Sequence, residues 1–206
     1  MKRKVLLIGF LVFMTIGLFG QNQNKVSKIE FYGGLDVGFA SSVVASDAIS
    51  GYFGGVEIVP YFGILPFSQK LPISFEIAVQ MDFISRFDDD VKIGFTTIAP
   101  QILVAYKYNL GVLKPYIKAG VGVNINSGKS KVDEGAYSVT NKINSSPSVS
   151  LVLNPGVELK ISKLISIVGY GRFNFNVSDL SIEGVKIANG AYLGTQTFGL
   201  GTKFNF

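Results

Sequence analysis

Three features of the sequence predict an all-β fold. Apolar residues recur at every second position. Glycine and β-forming aromatics are abundant, with 24 Gly, 17 Phe and 9 Tyr. Turn-forming clusters divide the chain into eight alternating runs. The clearest run goes from Leu71 to Phe83. Leu71, Ile73, Phe75, Ile77, Val79, Met81 and Phe83 share one face, and Pro72, Ser74, Glu76, Ala78, Gln80 and Asp82 share the other. A helix would scatter both sets around its circumference, whereas a strand separates them. Eight such runs predict an antiparallel up-and-down barrel.

The first twenty residues stand apart. Lys2-Arg3-Lys4 precede an apolar stretch from Val5 to Phe19, and Gly20 is followed by Gln21-Asn22-Gln23-Asn24. A basic start, an apolar middle and a small residue at the cut describe a secretory signal peptide, with cleavage expected after Gly20. A retained anchor is the alternative, but the stretch is shorter than the roughly 20 residues a spanning helix needs. The expected division is 1–20 signal peptide and 21–206 barrel.

The remaining runs follow in order. In 28–40, Ile29, Phe31, Leu35, Val37 and Phe39 oppose Glu30, Tyr32, Asp36 and Gly38. In 51–62, Tyr52, Val56, Ile58 and Phe62 oppose Glu57. In 93–108 the alternation shifts near Thr97, which predicts a bulge. Beyond it, Ile98, Ile102, Val104, Tyr106 and Tyr108 oppose Gln101 and Lys107. In 115–127, Ile117, Val121, Val123 and Ile125 oppose Lys118, Asn124 and several Gly. In 148–161, Val149, Leu151, Leu153, Val157, Leu159 and Ile161 oppose Asn154, Glu158 and Lys160. In 165–177, Ile165, Ile167, Phe173, Phe175 and Val177 oppose Tyr170, Arg172 and Asn174. In 191–206, Tyr192, Phe198, Leu200, Phe204 and Phe206 oppose Thr195, Thr197, Lys203 and Asn205. Long links are expected at 41–50, 128–147 and 178–190, with a moderate one at 86–92. Shorter ones are expected at 109–114 and 162–164, with 63–70 an exception.

Strand length points to a membrane. The runs are roughly 11–16 residues, against about five or six in soluble proteins. A tilted strand needs about 9–11 to cross the hydrocarbon layer. A sheet in lipid must close, because hydrocarbon offers an open edge no hydrogen bonds. The apolar face then meets acyl chains and the polar face fills the lumen. That lumen is expected to hold a charge network of Glu30, Asp36, Glu57, Glu76, Asp82, Lys107, Lys118, Glu158, Lys160, Arg172 and Lys203, with the opposite signs roughly balanced. Glu76 with Arg172 is one candidate pair. Tyr106, Tyr108, Tyr116, Tyr192 and Phe206 suit interfacial girdles near strand ends. Alternation has no sign, however. A soluble periplasmic lipocalin-like barrel, with its apolar face inward, is the competing architecture.

Composition removes several classes of function. The net charge of +5 falls to +2, 16 bases against 14 acids, once Lys2, Arg3 and Lys4 are set aside. No basic cluster marks a nucleic-acid surface. The absence of Cys removes disulfides and thiolate sites, and the absence of His removes imidazole catalysis. Asp88-Asp89-Asp90 and Asp133-Glu134 lack calcium-loop spacing and read as solvated loop residues. Gly120-Val121-Gly122 lacks the Lys-Ser/Thr of a phosphate loop and reads as barrel packing. No cofactor or metal is expected.

The chain ends Thr202-Lys203-Phe204-Asn205-Phe206, with Phe198, Leu200, Phe204 and Phe206 on one face. This end resembles the assembly signal of bacterial outer-membrane barrels. With the eight runs and the leader, the whole mature chain resembles the small outer-membrane barrels, OmpX-like and OmpA-barrel-like. The leader's end, Leu18-Phe19-Gly20-Gln21, looks like those of Bacteroidetes. The resemblance implies a bacterial outer-membrane location, outer-membrane lipid as surroundings and the barrel-assembly machinery as a partner in biogenesis. Enzymes of this architecture (outer-membrane phospholipases, lipid A acyltransferases and deacylases, omptin-type proteases) resemble one another in using a catalytic His, which this chain lacks. The expected role is structural, or interaction with an extracellular ligand or partner through the outer loops, foremost 128–147. A narrow pore for small solutes is the alternative.

Overall fold

The computed structural model describes residues 29–45, 50–65, 72–87, 91–134, 137–144, 147–177, 181–182, 185–186 and 194–206. The expected signal peptide, Tyr192 and Asp88–Asp90 lie outside the described residues, as do the side chains of Asp133 and Glu134.

Among the described residues eleven strands form, and eight of them build the barrel. These are β1 (Glu30–Ala45), β2 (Ser50–Leu65), β3 (Ile73–Phe87), β4 (Val91–Lys107), β5 (Leu113–Glu134), β7 (Ser148–Lys160), β8 (Ile165–Asn176) and β11 (Gly194–Asn205). The other three are β6 (Tyr137–Asn144), β9 (Ser181–Ile182) and β10 (Val185–Lys186). All pairings are antiparallel, and β1–β11 and β4–β5 complete the ring. Cross-strand partners can be followed once around, from Phe31 through Ile64, Phe75, Val104, Ala119, Leu153, Phe173 and Gln196. The path returns to β1 at Ser41, ten residues beyond Phe31. That stagger tilts the strands by about 40° and sets the backbone wall about 8 Å from the axis.

The wall is apolar outside and polar inside. Ile77, Ile102, Leu151, Phe175, Phe198 and Leu200 face outward and are exposed, while Asp36, Glu57, Gln80, Asn154 and Arg172 are at most 1% exposed. A soluble carrier barrel has the reverse arrangement, so the lipocalin-like alternative falls. On β8, exposed apolar residues run from Ile165 to Phe175. Ten residues at this tilt cover about 25 Å along the membrane normal, the height of a lipid-facing band.

Both ends of the described barrel chain, Glu30 and Asn205, lie at one end, here termed proximal. It also carries the links at 66–72, 108–112 and 161–164. Gly111, with φ of 85°, turns the chain between Leu110 and Leu113. That left-handed conformation favours glycine. In the 161–164 turn, Ser162 Oγ accepts from the amides of Leu164 and Ile165. At the distal end, strands run on where long loops were expected. The 41–50 link shrinks to 46–49, and 128–147 is largely the β5–β6 hairpin. The Ser-, Gly- and Lys-rich sequence there suits solvent-exposed strand as well as loop. Partner numbering along β5 slips by one residue between Asn124↔Ser148 and Ser127↔Asn144. Three residues separate Asn144 from Ser148 where two separate Asn124 from Ser127, a one-residue shift of register such as a bulge makes. None occurs at Thr97, since pairing through Asp82↔Thr97 is continuous. Phe95 points inward with Thr97, and an apolar residue on the polar face mimics a change of register.

Three outward-facing prolines interrupt the ladders. Pairing lapses at Val59–Pro60 opposite Val79–Gln80, at Ala99–Pro100 opposite Val123–Asn124, and at Asn154–Pro155 opposite Gly171–Arg172. Each proline lacks an N–H to donate. Along Pro60, Val79, Pro100, Val123 and Val149 the outer wall carries an apolar groove of about 610 Å³.

Candidate functional site

The lumen is filled in layers. Near the proximal end, Glu158 accepts from Lys203 Nζ (3.0 Å), from Lys107 Nζ (3.3 Å) and from Ser166 Oγ (2.9 Å). Glu76 accepts from Lys118 Nζ at 2.8 Å. Tyrosine rings cover these ammonium groups. Lys107 and Lys203 each lie 4.6 Å from the Tyr32 ring centroid, and Lys118 lies 4.5 Å from that of Tyr61. In a site closed to water, such cation–π contact replaces part of the lost hydration.

Glycine makes room for the rings. Tyr61 sits across from Gly34, Tyr32 from Gly63 and Tyr116 from Gly156. A Cβ at any of these glycines would run into the facing ring. Each ring therefore packs against bare backbone.

Arg172 holds the middle layer. Its Nη1 donates to Glu57 Oε1 at 3.0 Å, and its Nη2 lies 3.5 Å from Asp36 Oδ2. With its amide oxygen turned to the guanidinium, Asn154 accepts from Nε at 3.2 Å and Nη2 at 2.9 Å. Glu57 also accepts from Tyr170 and Thr197, each at 3.0 Å. Above lies a belt of amides. Gln80 Oε1 accepts from Gln101 and from Asn174, and its Nε2 donates to Asp82 Oδ2 at 2.7 Å. Asn124 donates to Asn176. The distal layer has an apolar side made by Ala40, Phe53, Ile84 and Phe95. The Phe53 and Phe95 rings meet edge to face at 5.5 Å.

Most of the charged residues expected in the lumen are there, though not all. Asp36, Glu57, Glu76, Asp82, Lys118, Glu158, Arg172 and Lys203 are buried, and Lys107 is partly so. Glu30 and Lys160 are exposed. Both share the inward parity, but they sit at strand ends where the barrel opens. Arg172 pairs with Glu57 and Asp36, not with Glu76, because β3 and β8 present Glu76 and Arg172 at different depths. Tyr116 lines the lumen and is no girdle residue, while Tyr106, Tyr108 and Phe206 are exposed near the proximal end. Phe198, Leu200, Phe204 and Phe206 all face outward. The neutral partners Tyr32, Tyr61, Gln80, Gln101, Asn154 and Asn174 do much of the filling. Inward parity with the charged residues was the available signal for them.

The same architecture occurs in solved structures. Neisserial surface protein A, NspA, matches with a TM-score of 0.57 at 16% identity, covering 85% of this chain and 97% of that one. A major outer membrane protein from Thermus thermophilus also matches at 0.57, with 14% identity and coverage of 86% and 99%. No protein-family model and no curated protein matches the sequence. The closed ring, the polar interior and the apolar exterior give this chain the fold of the small eight-stranded outer-membrane β-barrels, alike to that of NspA.

Proposed function

We propose that the protein is a non-conducting, non-enzymatic barrel that acts through its distal face, chiefly the β5–β6 hairpin. One observation carries this reading. Across the middle of the lumen, Glu57, Gln80, Asn154 and Arg172 are at most 1% exposed, which supports a lumen plugged by side chains. With no His and no Cys in the chain, the common nucleophile–base pairs have no members. The hairpin continues about 25 Å along the strand beyond Ser127, and β4 follows it as far as Val91↔Val132. A stiff extension of the wall is a platform for contact, and in outer-membrane barrels the longer connections face outward.

Planar-bilayer recording of the refolded mature chain tests the reading. The expected result is a silent bilayer. Stepwise conductance that disappears in Arg172→Ala or changes in Glu57→Gln would replace this reading with the narrow-pore one. Deletion of 130–145 is the companion test. The variant is expected to keep its folded barrel and to lose the cell-surface contact made by the intact protein.

A further inference from the structure

The distal extension of the wall gathers lysines that the sequence keeps apart. Lys92 stands on β4, Lys129 and Lys131 on β5, and Lys142 on β6. The register sets Lys92 directly opposite Lys131, and Lys129 directly opposite Lys142. Lys129 and Lys131, two apart on one strand, share a face, so all four fall on one patch about 10 Å wide across three strands. No acid stands among their cross-strand partners, which besides one another are Phe87, Gly94 and Thr140. Asp133 holds the next position on this face of β5, toward the hairpin tip, opposite Ser138.

Two properties of this patch point to an anion from the membrane. The first is its register. Like charges directly opposite on neighbouring strands are destabilising, because the two Cβ atoms are only about 4.5–5.5 Å apart. Here two such pairs lie side by side, and a phosphate shared between them would turn that repulsion into attraction. The second is its face. Lys129 is exposed and shares its parity with Ile117, Val121, Val123 and Ile125 of the outer apolar wall. Ile125 is the last apolar residue of that row. Four residues at the barrel's tilt put Lys129 about 10 Å beyond it along the axis. The headgroup zone of a bilayer is about 5–8 Å deep on each side of the hydrocarbon. Lysine is suited to that boundary, since its stem packs on apolar surface while its charge stays in polar surroundings.

We propose that this patch binds the phosphate groups of the lipid leaflet around the distal rim and so fixes the base of the β5–β6 hairpin to the membrane surface. A soluble polyanion fits less well. The patch is on the outer side of the wall, continuous with the apolar band, where lipid headgroups are the nearest anions. The inference rests on the membrane-spanning placement of the wall, and it adds a lipid partner at the base of the hairpin to the contact role proposed above.

The test is urea unfolding of the mature chain refolded into vesicles of phosphatidylcholine, alone or doped with phosphatidic acid, at low salt. Phosphatidic acid is expected to shift the wild-type equilibrium toward the folded state by about tenfold or more. High salt should shrink that gain. Lys129→Gln combined with Lys142→Gln should lose most of the gain, yet in pure phosphatidylcholine be at least as stable as wild type, since a repulsive pair has gone. Lys160→Gln combined with Lys163→Gln removes the same charge from exposed positions at the proximal end and should keep the gain. An equal loss in both double variants would mean a general effect of net charge and overturn the proposal. So would a gain with soluble inositol hexakisphosphate and none with phosphatidic acid, which would assign the patch to a soluble ligand. Insertion into both lipids with no difference in stability overturns this inference alone. Failure to insert into either, seen as the absence of a heat-modifiable band, overturns the membrane placement and this inference with it.

Discussion

Replacing Arg172 by Met is the most informative single change. Met keeps much of the volume and removes the charge. Glu57 and Asp36 then lose the guanidinium that lies 3.0 and 3.5 Å away, and the oxygen of Asn154 loses its donors. Removing one partner from a buried ion pair costs about 3–5 kcal/mol, because the other charge stays buried. That is a shift of about a hundredfold to several thousandfold in the unfolding equilibrium. Urea unfolding in detergent micelles, read by circular dichroism and by the heat-modifiable band in cold gels, would measure it. The partner is then identified by double-mutant cycles. With Glu57→Gln the two losses should overlap, giving a coupling of about 1–3 kcal/mol. With Glu76→Gln they should add to within about 0.5 kcal/mol, because Glu76 belongs to Lys118. A loss below about 1 kcal/mol for Arg172→Met, or stronger coupling to Glu76 than to Glu57, would refute the assignment of charges to layers.

Three other outcomes follow from the same geometry. Ile102→Arg places a charge on the exposed apolar wall at mid-height and should cost about 2–4 kcal/mol in lipid vesicles, whereas Leu164→Arg in the proximal turn should cost about 0–1; equal costs would contradict the proposed depth of the band. Gly63→Val drives a side chain into the Tyr32 ring and should destabilise the fold by about 1–3 kcal/mol, with partial rescue by Tyr32→Ala in the same unfolding assay. Pro100→Ala restores an amide where the β4–β5 ladder lapses and should stabilise by about 0.5–1.5 kcal/mol, seen also as slower hydrogen exchange around Val123.

The sequence by itself determined the eight wall strands, their antiparallel order and the two-faced character of the wall. These are local properties. Pleating puts successive side chains on opposite faces, so Leu71 to Phe83 declares its strand without reference to any neighbour. Which face would be inside was not local, because alternation looks the same from either side. Closure of the ring decided it, with Arg172 and Glu57 within and Leu200 and Phe198 without. Register also lay beyond the sequence. Partners such as Arg172 and Glu57, 115 residues apart, meet only because the ten-residue stagger brings β2 and β8 to the same depth. The same stagger leaves Glu30 and Lys160 at the mouth despite their inward parity, and turns Phe95 and Tyr116 into filling for a lumen whose polar residues alone do not occupy it. Finally, Ser127 to Asn144 has a composition that fits a loop or a strand. Pairing along β5 decided for a strand, since each half of the hairpin supplies the hydrogen bonds the other lacks.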